Sequence, residues 1–325
     1  MNDPRSESPV APPVRPEVSI IVESYNHGEG SSLERLALSL RAALGTARDY
    51  GSAEVLLADS SGDPEVVAMI QRELPQVRRV DATGHPYDEA KSVTASQARG
   101  DYVLFLDGDV IPDREDWAAR QVSALRNGAA ATCGLTRYEP GFLSALCTVM
   151  DFGVLFPIEE RDVRCYTSNN SGFRAETLRN CPVPVGTLRC NCYHHADLLR
   201  RRGTPVRLLT DAAVTHEDQP FWEERYRRGH DQIGACWDNP ELPETRLLKL
   251  GPLAAPLFYG REVWLDWRRL LRGRRDLGLS RAKAALGMLL FPILRLPDLA
   301  GMVRALVTPL RRRPRAPATQ PDPTP

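Results

Sequence analysis

Asp101-Tyr102-Val103-Leu104-Phe105-Leu106-Asp107-Gly108-Asp109-Val110 decides how the remainder of the chain is read. The unbroken apolar run over residues 102–106, rich in β-forming side chains, predicts a strand buried on both faces; such strands belong to parallel sheets covered by helices. Two carboxylates follow at its end. In open α/β sheets ligands are met outside the carboxyl ends of the strands, so Asp107 and Asp109 stand where a substrate would bind. Acids at i and i+2 around a glycine can turn toward one hard cation and leave its other positions to phosphate oxygens and water. A polar turn closing a strand uses the same residues, so context must decide between a metal-diphosphate site and a structural bend.

A chain of 325 residues is longer than the size at which a single core stops growing, which predicts one large domain and a smaller appendage. Its 42 basic side chains balance 42 acidic ones, so there is no electrostatic case for a nucleic-acid partner. Seven cysteines, an odd number with no secretory signal, point to a reducing, cytoplasmic setting and away from a disulfide framework. Residues 1–16 carry Pro, Ser and acidic residues without an apolar segment and are expected to be a disordered leader.

Outward from the opening stretch the chain repeats one theme. Val18-Ser19-Ile20-Ile21-Val22 predicts a strand, residues 23–32 a turn-rich loop, and Leu33, Leu36, Leu40 and Leu44 a helix capped by Ser31 or Ser32 and ending near Gly45. A second strand over residues 53–58 leads through Asp59-Ser60-Ser61-Gly62-Asp63-Pro64 into a helix over 65–74. A short strand at 77–80 and a helix at 87–97 precede the Tyr102 strand. This alternation predicts a doubly wound parallel sheet. The loops after Val22, Ala58 and Leu106 then open on one edge and gather Tyr25, Asp59, Asp107 and Asp109 into a cleft. Tyr25 offers a flat face for a base, Asp59 an acceptor for a uracil-like ring or a ribose, and Lys91 an ammonium for the same anion. Taken singly, each has an ordinary structural role open to it: packing aromatic, turn residue, solvated helix face.

The ordered set Val18-Ser19-Ile20-Ile21-Val22 with Tyr25-Asn26, Asp59-Ser60-Ser61-Gly62-Asp63, Lys91 and Asp107-Gly108-Asp109 resembles the family 2 glycosyltransferases of the GT-A fold. The resemblance covers residues 18–231 and implies a Rossmann-like, mostly parallel sheet flanked by helices. It implies transfer of a sugar from a nucleotide-diphosphate sugar to a hydroxyl of a glycan or lipid-linked acceptor, with inversion. Asp109 and Asp107 would hold Mn2+ or Mg2+ against the diphosphate, and Asp59 and Tyr25 would contact the nucleoside. Glu23 departs from the pattern; it is expected to face outward or to bind the base through an NH.

The second half carries the acceptor side of the resemblance. Asn169, Asn170 and Arg174 in Thr167-Ser168-Asn169-Asn170-Ser171-Gly172-Phe173-Arg174 would hold hydroxyls or the donor sugar, or else form a capped turn before a helix. In Cys190-Asn191-Cys192-Tyr193-His194-His195-Ala196-Asp197-Leu198, the family has Glu-Asp where this chain has His194-His195. The expected carboxylate base is missing. His195 or Asp197 would replace it, or the base lies elsewhere, or the site is degenerate. The Cys-x-Cys pair reads as buried cysteines on a strand rather than zinc ligands. His216, after a strand at 206–209, would complete the metal shell, and Arg228 would clamp the diphosphate. A nucleotide-sugar-binding protein without turnover and a nucleotidyltransferase are the competing readings; the latter lacks an early phosphate loop.

From residue 236 to 312 apolar stretches alternate with Arg-rich ones. Residues 284–294 are too short to cross a bilayer, and amphipathic helices lying on an anionic inner leaflet, with Trp264 and Trp267 at the headgroups, compete with an ordinary helical subdomain. The expected organisation is a leader (1–16), the GT-A domain (17–235), a helical extension (236–312) and a disordered tail (313–325).

Overall fold

The computed structural model of the protein describes residues 15–24, 32–184, 191–218, 220–238 and 243–308. Its first half follows the alternation in the sequence: β1 (Val18–Glu23), α1 (Leu33–Tyr50), β2 (Ala53–Asp59), α2 (Pro64–Glu73), β3 (Val77–Asp81), α3 (Tyr87–Ser96) and β4 (Tyr102–Asp107). The four strands pair in parallel in the order β3-β2-β1-β4. Successive β1 side chains alternate between two cores, as the strand period requires. Val18, Ile20 and Val22 pack with Leu104 and Leu106 on one face, and Ile21 packs with Val103 and Phe105 on the other. Ser32 caps α1 by accepting from the Arg35 amide at 3.1 Å. The helix runs past Gly45, where the spacing predicted its end, because Ala43 and Ala47 on either side are buried. It stops at Gly51, whose φ of 96° suits glycine.

Beyond β4 the sheet becomes mixed. The chain continues through β5 (Val110–Pro112), α4 (Trp117–Arg126), β6 (Ala131–Tyr138), α5 (Phe142–Phe152), β7 (Arg161–Val163), β8 (Asn170–Arg174), α6 (Ala175–Asn180), α7 (Asn191–Arg201) and β9 (Val206–His216). Strand β8 inserts antiparallel between β4 and β6, setting Leu106 opposite Asn170 and Tyr102 opposite Arg174. Strand β9 runs parallel to β6 and antiparallel to β5, which sets His216 opposite Val110. The Cys-x-Cys segment is not a strand: Cys192 lies on α7, where buried Asn191, His195, Ala196 and Leu199 recur at helical spacing. Cys190 lies outside the described residues.

The C-terminal helices are α8 (Phe221–Asp238), α9 (Ala254–Gly273), α10 (Arg281–Leu294) and α11 (Leu296–Val307). Helix α8 runs unbroken through residues 235 and 236 and packs closely on α11. At Gly301 a Cβ would stand 2.0 Å from the Tyr226 carbonyl oxygen, and at Gly229 one would stand 2.0 Å from that of Asp298. Around this crossing lies a buried ionic lattice. Asp151 of α5 binds Arg225 at 2.9 Å and Arg228 at 2.8 Å, Arg225 reaches Asp298, and Arg295 grips Asp266 of α9 at 2.7 and 3.0 Å. Burial pushes the Asp151 carboxyl up, but the two guanidiniums outweigh it and hold the group well below the usual range. Residues 281–307 together have the length and a hydropathy of 1.5 that would suit a membrane span, longer than the 284–294 stretch alone. The segment is two helices meeting at Arg295, whose guanidinium is buried on Asp266.

Candidate active site

The turn after β4 is fixed by close approach. The Gly108 amide donates to the Glu23 carbonyl at 2.7 Å, and a Cβ there would stand 2.8 Å from the same oxygen and 2.7 Å from Leu36. Glycine lets the chain fold back over the end of β1. Asp109 follows, fully buried, and its carbonyl oxygen accepts from the Glu217 amide at 3.0 Å and from Arg35 at 3.2 and 3.3 Å. The β5–β9 pairing brings His216 alongside, with Nε2 3.4 Å from Asp109 Oδ2. His216 Nδ1 lies 2.7 Å from the Glu217 carbonyl oxygen, which can only accept, so Nδ1 carries the hydrogen. In the neutral ring this leaves the Nε2 lone pair facing the carboxylate. An imidazole nitrogen and a carboxylate oxygen at this separation are a fitting pair of donors for one divalent cation, and the mixed N/O set suits Mn2+ better than Mg2+.

Asp107 does not join them. Its Oδ1 accepts from Lys91 Nζ at 2.5 Å, and Tyr87 Oη lies 2.7 and 2.8 Å from its two oxygens. Lys91 also donates to the Ser168 carbonyl at 2.9 Å and lies 4.2 Å from the Tyr87 ring centre. Lys91 and Asp107 are both buried. Among the described residues no three His, Cys, Asp or Glu side chains are placed to hold a metal on their own, so the expected Asp107–Asp109–His216 set reduces to Asp109 and His216. Tyr87, Ser168 and Arg35 were not singled out from the sequence. Tyr87 and Lys91 share a helix face at i and i+4, and that spacing was readable.

Asp59 ends β2 fully buried. Arg79 donates to its Oδ2 at 2.6 Å, while Ser24 Oγ, the Ser61 amide and Ser61 Oγ reach Oδ1 at 3.1, 3.1 and 2.6 Å. Both oxygens are committed to the protein, and the residue organises the loop. Glu23 does not face outward: it is fully buried and accepts from Ser60 Oγ at 2.7 Å. Tyr25 lies outside the described residues.

Strand direction removes one of the expected donor-binding residues, and committed hydrogen bonds remove a second. Because β8 runs antiparallel to β4, Arg174 sits beside Tyr102, five residues and roughly 17 Å from Asp107. Its guanidinium donates instead to the Leu125 carbonyl at 2.6 and 3.0 Å. Asn170 is at the correct end but fully committed: Oδ1 accepts from Trp117 and Gln121 at 3.0 and 3.1 Å, and Nδ2 donates to the carbonyls of Leu135 and Ala212 at 3.1 and 2.8 Å. It ties four elements together. Arg228 belongs to the ionic lattice, on Asp151 at 2.8 Å and Glu224 at 2.5 Å. The lattice nevertheless borders the site, since Tyr138 donates to Asp151 at 2.9 Å and its ring lies 5.2 Å from that of His216.

His195 is a core histidine. It is fully buried, stacks on Phe173 at 5.5 Å, and lies 2.8 Å from Tyr166 Oη through Nδ1 and 2.7 Å from the Cys181 carbonyl through Nε2. Nε2 must donate to that carbonyl, so Nδ1 accepts from the phenol and no lone pair is left for substrate. Burial pulls its pKa down to about 4 despite the Cys181 hydrogen bond. Asp197 is held by Arg200 at 2.6 Å and Arg201 at 2.7 Å; these hydrogen bonds outweigh desolvation and lower its pKa. On the same helix, His194 Nε2 is buried with no hydrogen-bond partner among the described residues.

Residues 19–150 match the family model described as glycosyl transferase family 2. Over that stretch, from β1 into α5, the chain carries a family 2 glycosyltransferase domain, and its sheet and flanking helices have the GT-A architecture. No curated protein sequence matches the chain. Among solved structures it is similar to the mannosyltransferase PcManGT from Pyrobaculum calidifontis in complex with GDP-Man and Mn2+, at 16% identity and a TM-score of 0.60 over 90% of this chain and 88% of that one. It also aligns with GalNAc-T7 with UDP, GalNAc and Mn2+, at 11% identity and a TM-score of 0.48 over 62% of this chain and 43% of that one. At 16% identity the likeness to the mannosyltransferase speaks for the fold alone.

Proposed function

We propose that this glycosyltransferase is metal-dependent and moves a sugar, with inversion, from a nucleoside-diphosphate sugar to an acceptor hydroxyl, and that Asp109 and His216 are its cation ligands. The observation that carries the reading is the 3.4 Å approach of His216 Nε2 to Asp109 Oδ2 at the carboxyl end of β4, with Nδ1 committed to a backbone carbonyl. A divalent ion held there would act as a Lewis acid on the departing diphosphate. Asp109 is positioned from behind by Arg35 and the Glu217 amide. The Lys91–Asp107–Tyr87 cluster supplies a fixed, hydrogen-bonded wall whose ammonium offsets the carboxylate it touches and keeps it from repelling a second anion. Of the α7 side chains, His194 is the one we assign as base, because its Nε2 has no hydrogen-bond partner among the described residues, whereas the polar atoms of His195 and Asp197 are taken.

The reading is tested by thermal shift with a panel of nucleoside diphosphates, with and without Mn2+, followed by turnover with the donor so identified. Ligand at a hundred times its dissociation constant should stabilise the fold by about 2.7 kcal/mol. The expected outcome is a metal-dependent shift abolished in Asp109→Asn and His216→Ala, and turnover reduced by roughly 10²–10⁴ in His194→Ala with nucleotide binding retained. A shift that survives both ligand variants refutes the metal assignment; full turnover in His194→Ala refutes the base.

A further inference from the structure

Helices α9, α10 and α11 leave apolar surface uncovered. On α10 Leu286, Leu289 and Ile293 are 49%, 73% and 54% exposed, at spacings of three and four residues that put them on one face. Opposite them Ala284, Gly287 and Phe291 are buried against the core. Helix α9 repeats the pattern with exposed Leu257, Trp264 and Leu271, seven residues apart. The two faces adjoin: Trp267 donates through Nε1 to the Met288 carbonyl at 2.8 Å, Tyr259 donates to the Pro292 carbonyl at 2.6 Å, and the Trp264 ring lies 6.4 Å from that of Trp267. Leu289 and Ile293 thus follow directly on the residues that α9 touches. Cations rim this ridge. Arg268, Arg272, Arg275, Arg281 and Lys283 are exposed, whereas Asp276 is the one exposed carboxylate between residues 257 and 307. The other acids in this range, Glu262, Asp266 and Asp298, are buried.

We propose that the α9–α10 face docks on the surface of an anionic phospholipid bilayer, with Trp264, Leu286, Leu289 and Ile293 entering the headgroup region and the arginines meeting lipid phosphates. A second copy of the chain would bring the same row of cations onto itself, so charge complementarity selects the lipid. Amphipathic surfaces with an aromatic and aliphatic ridge and a basic rim lie in the interface plane rather than across it. Here the buried Arg295–Asp266 pair keeps α10 and α11 on the protein. The inference is independent of the donor and the metal.

The test is flotation of the full chain with phosphatidylcholine vesicles, with and without phosphatidylglycerol, accompanied by size-exclusion chromatography. Binding is expected to vesicles containing phosphatidylglycerol and to fall as salt is raised. Each cation near an anionic surface contributes about fivefold, so Arg272→Gln with Arg275→Gln should weaken partition about thirtyfold. Leu289→Asp with Ile293→Asp should abolish it while leaving the melting temperature unchanged. Failure of the wild type to float with anionic vesicles overturns the proposal, as does equal binding to neutral vesicles or a dimer that the Asp variant dissociates.

Discussion

His195 offers the sharpest separation between a catalytic and a structural histidine. The ring is fully buried and neutral, with a pKa near 4 in the folded chain, against about 6.5 when unfolded. A depressed histidine pKa means that the unfolded state takes up the proton first. Stability is therefore complete above the unfolded value and drains as pH falls from about 6.5 toward 4. Between pH 7.5 and 4.5 linkage removes about 2.5 kcal/mol from the wild type on this account. His195→Gln loses about 1–3 kcal/mol at pH 7.5 through poorer packing and hydrogen bonding to Tyr166 and Cys181, but has no proton to take up. The gap between the two proteins should therefore close or reverse by pH 4.5. Urea unfolding at the two pH values measures it, and the pH profile of kcat, once a donor is in hand, should keep its shape in the variant. A gap that stays constant with pH, or turnover lost by more than a hundredfold without loss of stability, would refute the core assignment.

Lys91→Met should cost about 3–5 kcal/mol in urea, because it strands the buried Asp107 carboxylate, and Lys91→Met with Asp107→Asn should recover most of that loss. Equal losses in the single and double variants would show that the pair is not coupled. Gly301→Ala should destabilise by about 3 kcal/mol or more, since its methyl would meet the Tyr226 carbonyl, a backbone atom that cannot swing aside; an unchanged melting temperature would mean that α8 and α11 are less tightly apposed.

What the sequence disclosed follows from the range of the interactions involved. Strands β1, β2 and β4 and the helices between them are local patterns of buried side chains, so residues 18–107 could be read directly. Asp109 was legible as one of the paired carboxylates closing the β4 strand, and His216 was reached through the family resemblance. What stayed hidden depends on pairings distant in the chain. Arg174 was assigned to the cleft because nothing in Asn170-Ser171-Gly172-Phe173-Arg174 tells that β8 runs antiparallel to β4, and direction alone puts its far end away from Asp107. His195 looked like a base because its partners, Tyr166 and Cys181, are 29 and 14 residues away. Asn170 looked like a sugar ligand for the same reason: its four hydrogen bonds come from Trp117, Gln121, Leu135 and Ala212. Tyr87 was the exception, a local feature overlooked.

The lattice of Asp151, Arg225, Arg228, Asp298, Arg295 and Asp266 bears on how this chain can be shortened or rebuilt. Three acids and three guanidiniums are shared among α5, α8, α9 and the α10–α11 junction, with Glu224 on Arg228 and Arg269 on Asp266 at the margins, so the ion pairs join helices far apart in the chain. A chain ending at residue 235 would keep Asp151, Glu224, Arg225 and Arg228 but take Asp298 away from Arg225, leaving a guanidinium built to be dry short of one of its carboxylates. It would also uncover the Gly229 side of α8. The helices that follow the sheet are thus as much a condition of folding as the strands before them, and the smallest autonomous piece should extend past Asp298.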